Sequence, residues 1–314
     1  MATYLVTGGA GFIGANLVHA LLEQGDDVRV LDDFSTGRKE NLADVRAQVD
    51  CVEGSILDRD LLAETMTGVD YCLHQAALPS VPRSVKDPWT SNRTNVEGAL
   101  NVFLAARDTG VKRTVFASSS SVYGNAHPMP LREDMTPAPR SPYAITKATD
   151  EHYARVFSDL YDCSLVGLRY FNVFGPRQDP ASQYAAVVPI FMGHMLRNEQ
   201  PPVHGDGQQA RDFCYIDNVV HANLAAATCP NPLHGVFNIA CGESHAVTDL
   251  VDHLNELIGT DLRPAFTDAR PGDIRQSWAD ITRAHDAFGY TPSVRLCEGL
   301  EKTLQWFKEK EFTP

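Results

Sequence analysis

Thr7-Gly8-Gly9-Ala10-Gly11-Phe12-Ile13-Gly14 is the stretch that decides the fold. It follows an apolar run, Tyr4 to Val6, and opens a segment of helical period through Leu17, Leu21 and Leu22. Glycines at such a junction let the backbone turn tightly and approach a pyrophosphate, while the helix N-terminus offers unpaired N–H groups and partial positive charge. Asp32 closes the next apolar run, about 20 residues on, where a carboxylate accepts from a ribose 2′-hydroxyl. The same carboxylate repels a 2′-phosphate, so the spacing favours NAD over NADP; Arg38, a little downstream, pulls the other way.

Working outward, short β-branched or apolar runs recur at Val28 to Leu31, Val49 to Val52, Tyr71 to Leu73, Thr114 to Ala117 and Leu165 to Leu168, with helical patterns between most of them. This alternation predicts an α/β fold, a doubly wound parallel sheet with helices on both faces, over residues 1–172. Beyond Phe171 the rhythm changes: Pro176, Pro180, Pro189, Pro201, Pro202, Gly205 and Gly207 predict a smaller substrate-binding lobe over residues 173–314. A late apolar run, Val236 to Ile239, predicts that residues 212–242 return to the sheet.

Composition narrows the function. With 314 residues there is material for two domains, and no run approaches the ~18 apolar residues of a membrane span. There is no charged-then-apolar leader, so a cytoplasmic protein is expected. The net charge of −13 is the wrong sign for holding a nucleic acid through the overall field, and an anionic ligand needs a local cluster of cations. Seven scattered cysteines without a Cys-x-x-Cys pair indicate neither a disulfide framework nor a zinc site. The histidines form no His-Glu-x-x-His, no Gly-Lys pair ends a Walker loop, and no metal is expected.

Of ten tyrosines only Tyr143 has a lysine four residues later, Lys147. On a helix the two share a face, and an ammonium there draws a phenol from its usual pKa of about 10 toward neutrality. Tyr143 is thereby a candidate base. Ser118-Ser119-Ser120-Ser121 falls just beyond the fifth predicted strand, at the carboxyl end that borders the ligand crevice, where a hydroxyl can hydrogen-bond a group being oxidised. Ser121 reads as a loop residue, and His74 as a structural histidine.

These motifs, with Val122-Tyr123-Gly124, Ser141-Pro142-Tyr143-Ala144-Ile145-Thr146-Lys147 and Leu168-Arg169-Tyr170-Phe171-Asn172, resemble the extended short-chain dehydrogenase/reductase family over nearly the whole chain. Within it the chain is similar to the nucleotide-sugar 4-epimerases. The resemblance implies a Rossmann-type sheet and NAD as cofactor. It also implies a UDP-sugar oxidised transiently at C4, turned over and reduced on its other face. It assigns Ser119, Tyr143 and Lys147 to catalysis, with Ser120 assisting. Around the cofactor it places Gly8, Gly11, Phe12, Ile13, Gly14, Asp32, Phe34, Ser35, Gly37, Ile56, Ala76, Ala77, Asn95 and Tyr170. Ser55 stands where many relatives carry an aspartate that reaches the adenine. For the UDP-sugar it implies Asn172, Arg211 and Arg270 near the diphosphate, with Asp273, Ser277, Ala186 and Val188 bordering the sugar.

Ser277 is small where a tyrosine would exclude an N-acetyl group, so UDP-N-acetylglucosamine and UDP-N-acetylgalactosamine are expected substrates, alongside UDP-glucose and UDP-galactose. Pro79, where some acetyl-preferring relatives have glycine, runs against this. The serine run also resembles that of UDP-glucuronate 4-epimerases, the runner-up. A non-catalytic NAD-binding redox sensor is the alternative from another class, disfavoured by the intact Ser119, Tyr143 and Lys147. Serines in place of an Asp-Glu pair disfavour a 4,6-dehydratase. By the same resemblance, Asn95 to Asp108 and Tyr143 to Leu160 are expected to pack against a second copy in a homodimer.

Overall fold

The computed structural model describes residues 1–179, 186–269 and 274–310. Six strands alternate with helices through the first half: β1 (Thr3–Thr7), β2 (Asp27–Asp32), β3 (Asp50–Glu53), β4 (Tyr71–His74), β5 (Arg113–Ser119) and β6 (Leu165–Tyr170). With Gly235–Ile239 they form one seven-stranded sheet in which every pairing is parallel. The order runs from Gly235–Ile239 through β6, β5, β4 and β1 to β2 and β3. It is the doubly wound, Rossmann-type order, whose direction reverses between β1 and β4 and opens a crevice at the carboxyl ends of those strands.

Continuous apolar runs are what a strand buried on both faces requires. In β1, Tyr4 and Val6 pack in one core cluster with Leu17 and Leu21 of α1 (Phe12–Glu23) and with Val219 of the helix Ile216–Thr228. Leu5, between them, packs in the opposite cluster. That second cluster holds Leu62 of α2 (Arg59–Met66), Phe103 of α5 (Gly98–Thr109) and Phe157 of α6 (Pro142–Tyr161). Two short helices, α3 (Val81–Lys86) and α4 (Pro88–Asn92), lie before α5 and pack on α6.

The second lobe is built of short pieces. Ala210–Arg211 is the centre of a three-stranded sheet, antiparallel to His245–Ala246 and parallel to Gln276–Ser277. Asp212 fastens it: its carboxylate accepts backbone N–H bonds from Cys241 (2.8 Å), Gly242 (2.9 Å), Glu243 (3.3 Å) and Ala279 (3.3 Å). Burial nonetheless pushes the Asp212 carboxyl up, to about 6, against those hydrogen bonds.

Candidate active site

A cavity of about 460 Å³ occupies the crevice and runs from the glycine turn to the ends of β5 and β6. Gly8, Gly11, Phe12, Ile13, Gly14, Asp32, Ser35, Gly37, Ile56, Ala76 and Ala77 line it at one end. Gly8 has φ +69°, and its N–H donates to the Leu31 carbonyl at 2.8 Å. A Cβ there would stand 2.7 Å from the Ala76 backbone, and one on Gly14 would collide with the Gly8 carbonyl oxygen. Glycine is therefore demanded by space as well as by conformation. Gly11 caps α1 without a side-chain hydrogen bond, so the helix presents its first N–H groups to the cavity.

Asp32 ends β2 beneath this turn. Its Oδ2 accepts the Ala10 N–H at 2.9 Å and its Oδ1 the Phe34 N–H at 2.8 Å, bonds that favour the carboxylate while burial pushes its pKa up. A Cβ on Gly37 would press to 2.8 Å from Asp32 Oδ1. A bare helix N-terminus, a glycine cradle and an acid at the strand end fit a dinucleotide with a free ribose. Arg38, the cation that argued for NADP, is held toward Asp179 at 3.6 Å.

At the other end β5 delivers Ser118 and Ser119, and α6 delivers Tyr143 and Lys147, all four lining the cavity. Helix α6 starts where it does because Ser141 Oγ accepts the Ala144 N–H at 3.1 Å and Pro142 occupies its first turn. The Tyr143 N–H donates to Ser84 Oγ at 3.0 Å, fixing the first turn against α3. Ser119 Oγ accepts the Ser121 N–H at 3.1 Å. The Ser118 hydroxyl is engaged elsewhere, donating to Glu151 Oε1 at 2.5 Å, and Glu151 is gripped by Arg169 through Nε (2.8 Å) and Nη2 (2.7 Å). Tyr170 lines the cavity, its hydroxyl bonded to Gln75 and Asn223. His74 is fully buried, hydrogen-bonded through Nδ1 to Thr7 Oγ1 at 2.7 Å, and burial drives its pKa down to about 3.

Other expected residues sit differently. Phe34 does not line the cavity; its ring lies under Lys39 at 4.6 Å. Ser55 caps its own turn, accepting the Leu57 N–H at 3.3 Å, and is not in the lining. Asn95 is 1% exposed, and its amide ties Leu78 to Thr146: Oδ1 accepts the Leu78 N–H, and Nδ2 donates to Thr146 Oγ1 and the Leu78 carbonyl. It is not among the residues of the lining. Ser120 lies in the turn after β5, outside the lining.

Asn172 and Ala186 line the cavity, Asn172 at φ +29° with Nδ2 donating to the Asp212 carbonyl at 2.9 Å. Val188 is buried in the core instead. Arg211 and Ser277 are paired strand neighbours beyond the described lining. Arg270 and Asp273 lie outside the described residues, as does the stretch 180–185.

Arg177 joins the site without having been assigned to it from the sequence, where it stands only within a stretch similar to epimerases that favour acetylated sugars. It sits in the loop after β6 at φ +69°, donates to Asn16 Oδ1 at 3.2 Å and lines the cavity next to α1. An arginine directly after Gly175-Pro176 was the available sign.

Comparison with known proteins agrees with this geometry. Residues 4–240 match the model of the NAD dependent epimerase/dehydratase family. A UDP-glucose 4-epimerase of Mycolicibacterium smegmatis is 40% identical, with 98% of each chain covered. Among solved structures, a UDP-N-acetylglucosamine 4-epimerase of Methanobrevibacter ruminantium superposes with a TM-score of 0.94 at 38% identity, covering 98% of this chain and 99% of that one. A UDP-glucuronic acid 4-epimerase of Bacillus cereus, in complex with UDP-glucuronic acid and NAD, superposes at 0.90 with 32% identity, covering 98% and 99%. With a glycine cradle for the dinucleotide, a tyrosine, lysine and serine at its far end, and likeness along its whole length, the chain belongs to the NAD dependent epimerase/dehydratase family.

Proposed function

We propose that this NAD-dependent isomerase is a UDP-hexose 4-epimerase that accepts the N-acetylated pair, UDP-N-acetylglucosamine and UDP-N-acetylgalactosamine, together with UDP-glucose and UDP-galactose. The observation that carries the reading is the convergence of Ser119, Tyr143 and Lys147 in one cavity with the dinucleotide cradle. NAD, when bound, supplies the acceptor and donor of the C4 hydrogen. Tyr143 takes the proton from the sugar 4-hydroxyl and returns it after the sugar has presented its other face. Ser119 hydrogen-bonds the same oxygen, and Lys147, one helical turn from Tyr143, brings a positive charge to the same face of the helix. Inversion needs the diphosphate held and the sugar free to turn. Arg211 and Arg270 take the first task, since a guanidinium fork matches phosphate oxygens. This division of labour is our reading of residues 1–172 with 212–242, and of 173–314, as dinucleotide and sugar lobes.

The acetylated substrates rest on Ser277, a small residue beside Arg211 in register, and on Ala186 in the cavity wall. Incubation of the purified protein with UDP-N-acetylglucosamine, UDP-glucose and UDP-glucuronate separately, with the C4 epimers resolved, tests the whole reading. Conversion of the first two is expected. Conversion of the uronate alone would favour the UDP-glucuronate epimerase, and conversion of none would sink the epimerase in favour of an NAD-binding sensor. Ser277→Tyr should cut turnover of the acetylated pair by about tenfold or more while sparing UDP-glucose. Equal effects on both would remove Ser277 from the pocket. We further propose that the working form is a homodimer built on the exposed apolar face of α6.

A further inference from the structure

Lys147 has a neighbour that the epimerase chemistry above does not use. Asp150, one turn further along α6, accepts from Lys147 Nζ through Oδ2 at 3.1 Å, with the two side chains 1% and 2% exposed. Its second oxygen, Oδ1, is buried and has no hydrogen-bond partner among the described residues. The adjacent Glu151 is already bound by Arg169 and Ser118, so α6 carries two buried acids in succession, each with its own cation. Burial pushes the Asp150 carboxyl up, to about 6, with Lys147 acting against burial and Glu151 adding to it.

We propose that Asp150 is a positioning residue for the reaction: its carboxylate holds the Lys147 ammonium in the cavity floor and tempers the positive field that the ammonium exerts on Tyr143. The inference rests on the catalytic roles proposed above. An ammonium alone at the base of the site would act at full strength on a phenol one turn away. A carboxylate in contact with it, in a place water does not reach, offsets part of that field at the phenol. The other charged and titratable groups around the trio are few. From β4 comes His74, kept neutral by burial; from β6 come Arg169, bonded to Glu151, and Tyr170, bonded to Gln75 and Asn223. None of these contacts Asp150 through a hydrogen bond, so its removal leaves the ammonium uncompensated.

Asp150→Asn, which keeps the shape, and Asp150→Ala, which keeps the helix propensity, test this. With cofactor bound, the phenolate absorbance that is lost in Tyr143→Phe should emerge at a pH lower by about one unit than in the parent protein. The acid limb of the kcat profile should move the same way with KM for the UDP-sugar unchanged, and Asp150→Glu should restore the parent profile. The phenolate titration needs no turnover, so it reads Asp150 even if none of the sugars is a substrate. A phenolate that emerges at the parent pH, or at a higher one, in either folded variant overturns the proposal. If neither variant folds, Asp150 is a structural residue and the proposal falls.

Discussion

His74 illustrates how one buried side chain turns into a pH dependence. It ends β4, bonds Thr7, stacks edge-on against Phe103 and is held neutral, its pKa at about 3 against an ordinary 6.5. The folded chain thus binds fewer protons at this site than the unfolded chain between those two values. Stability from His74 is complete above about 6.5 and is lost as the pH falls toward 3, by at most about 1.4 kcal/mol per pH unit. Denaturant midpoints measured between about pH 7 and pH 4.5 should therefore fall more steeply for the parent protein than for His74→Gln. Parallel curves would mean that His74 titrates freely in the fold. Tyr143 and Lys147 were legible because helical geometry alone puts i and i+4 on one face. Asp150 was not, since an i, i+3 acid and lysine reads as an ordinary surface pair until α6 is seen packed on β5 and β6 with both side chains covered. Arg177 was equally hidden, because nothing in a proline-glycine loop says which way its side chain turns.

At the scale of elements, the strands of the large sheet could be read because burial leaves short runs dominated by apolar residues, interrupted by a charged residue only at Arg29 and Asp50 toward the β3 edge, and each of the seven predicted runs lies within or overlaps an observed strand. The second lobe could not be read in that way. Its strands Ala210–Arg211, His245–Ala246 and Gln276–Ser277 are two residues each, too short to carry a period, and their short backbone pairings are reinforced by the Asp212 carboxylate, which ties down the loops beside them. Helix α6 shows a third case. One of its faces builds the site, while Ile145, Val156 and Leu160, at 54%, 42% and 69% exposure, form a stripe on its outer side. Trp89 of α4, which packs on α6, is 77% exposed as well. An apolar patch of this kind is suited to a matching patch on a second copy. Val156→Glu with Leu160→Glu should weaken self-association by about 100-fold or more, since burying each such side chain is worth about 1.5–3 kcal/mol, and should leave bound NAD in place. Sedimentation equilibrium reads both; a parent protein that is monomeric at micromolar concentration would contradict the dimer.

For the whole molecule, a net charge of −13 faces a substrate that is itself an anion, and the two can coexist only if local charge outweighs the global field at the site. The described lining carries Lys147, Arg38, Arg83 and Arg177 against Asp32, Asp33 and Asp179, near balance, so the cavity escapes the acidity of the surface without becoming a basic funnel. The long-range part of the field is repulsive and is screened with a Debye length that shrinks from about 30 Å at 0.01 M salt to about 8 Å at 0.15 M. Contacts made by guanidinium groups at hydrogen-bond distance in a partly enclosed site are screened far less. The repulsion should therefore fade before the clamp does, and KM for the UDP-sugar should fall or hold steady over that range of salt. A basic site that draws its ligand in from a distance behaves oppositely, and a KM that climbs several-fold between those concentrations would show that exposed cations, rather than the held ones, capture the diphosphate.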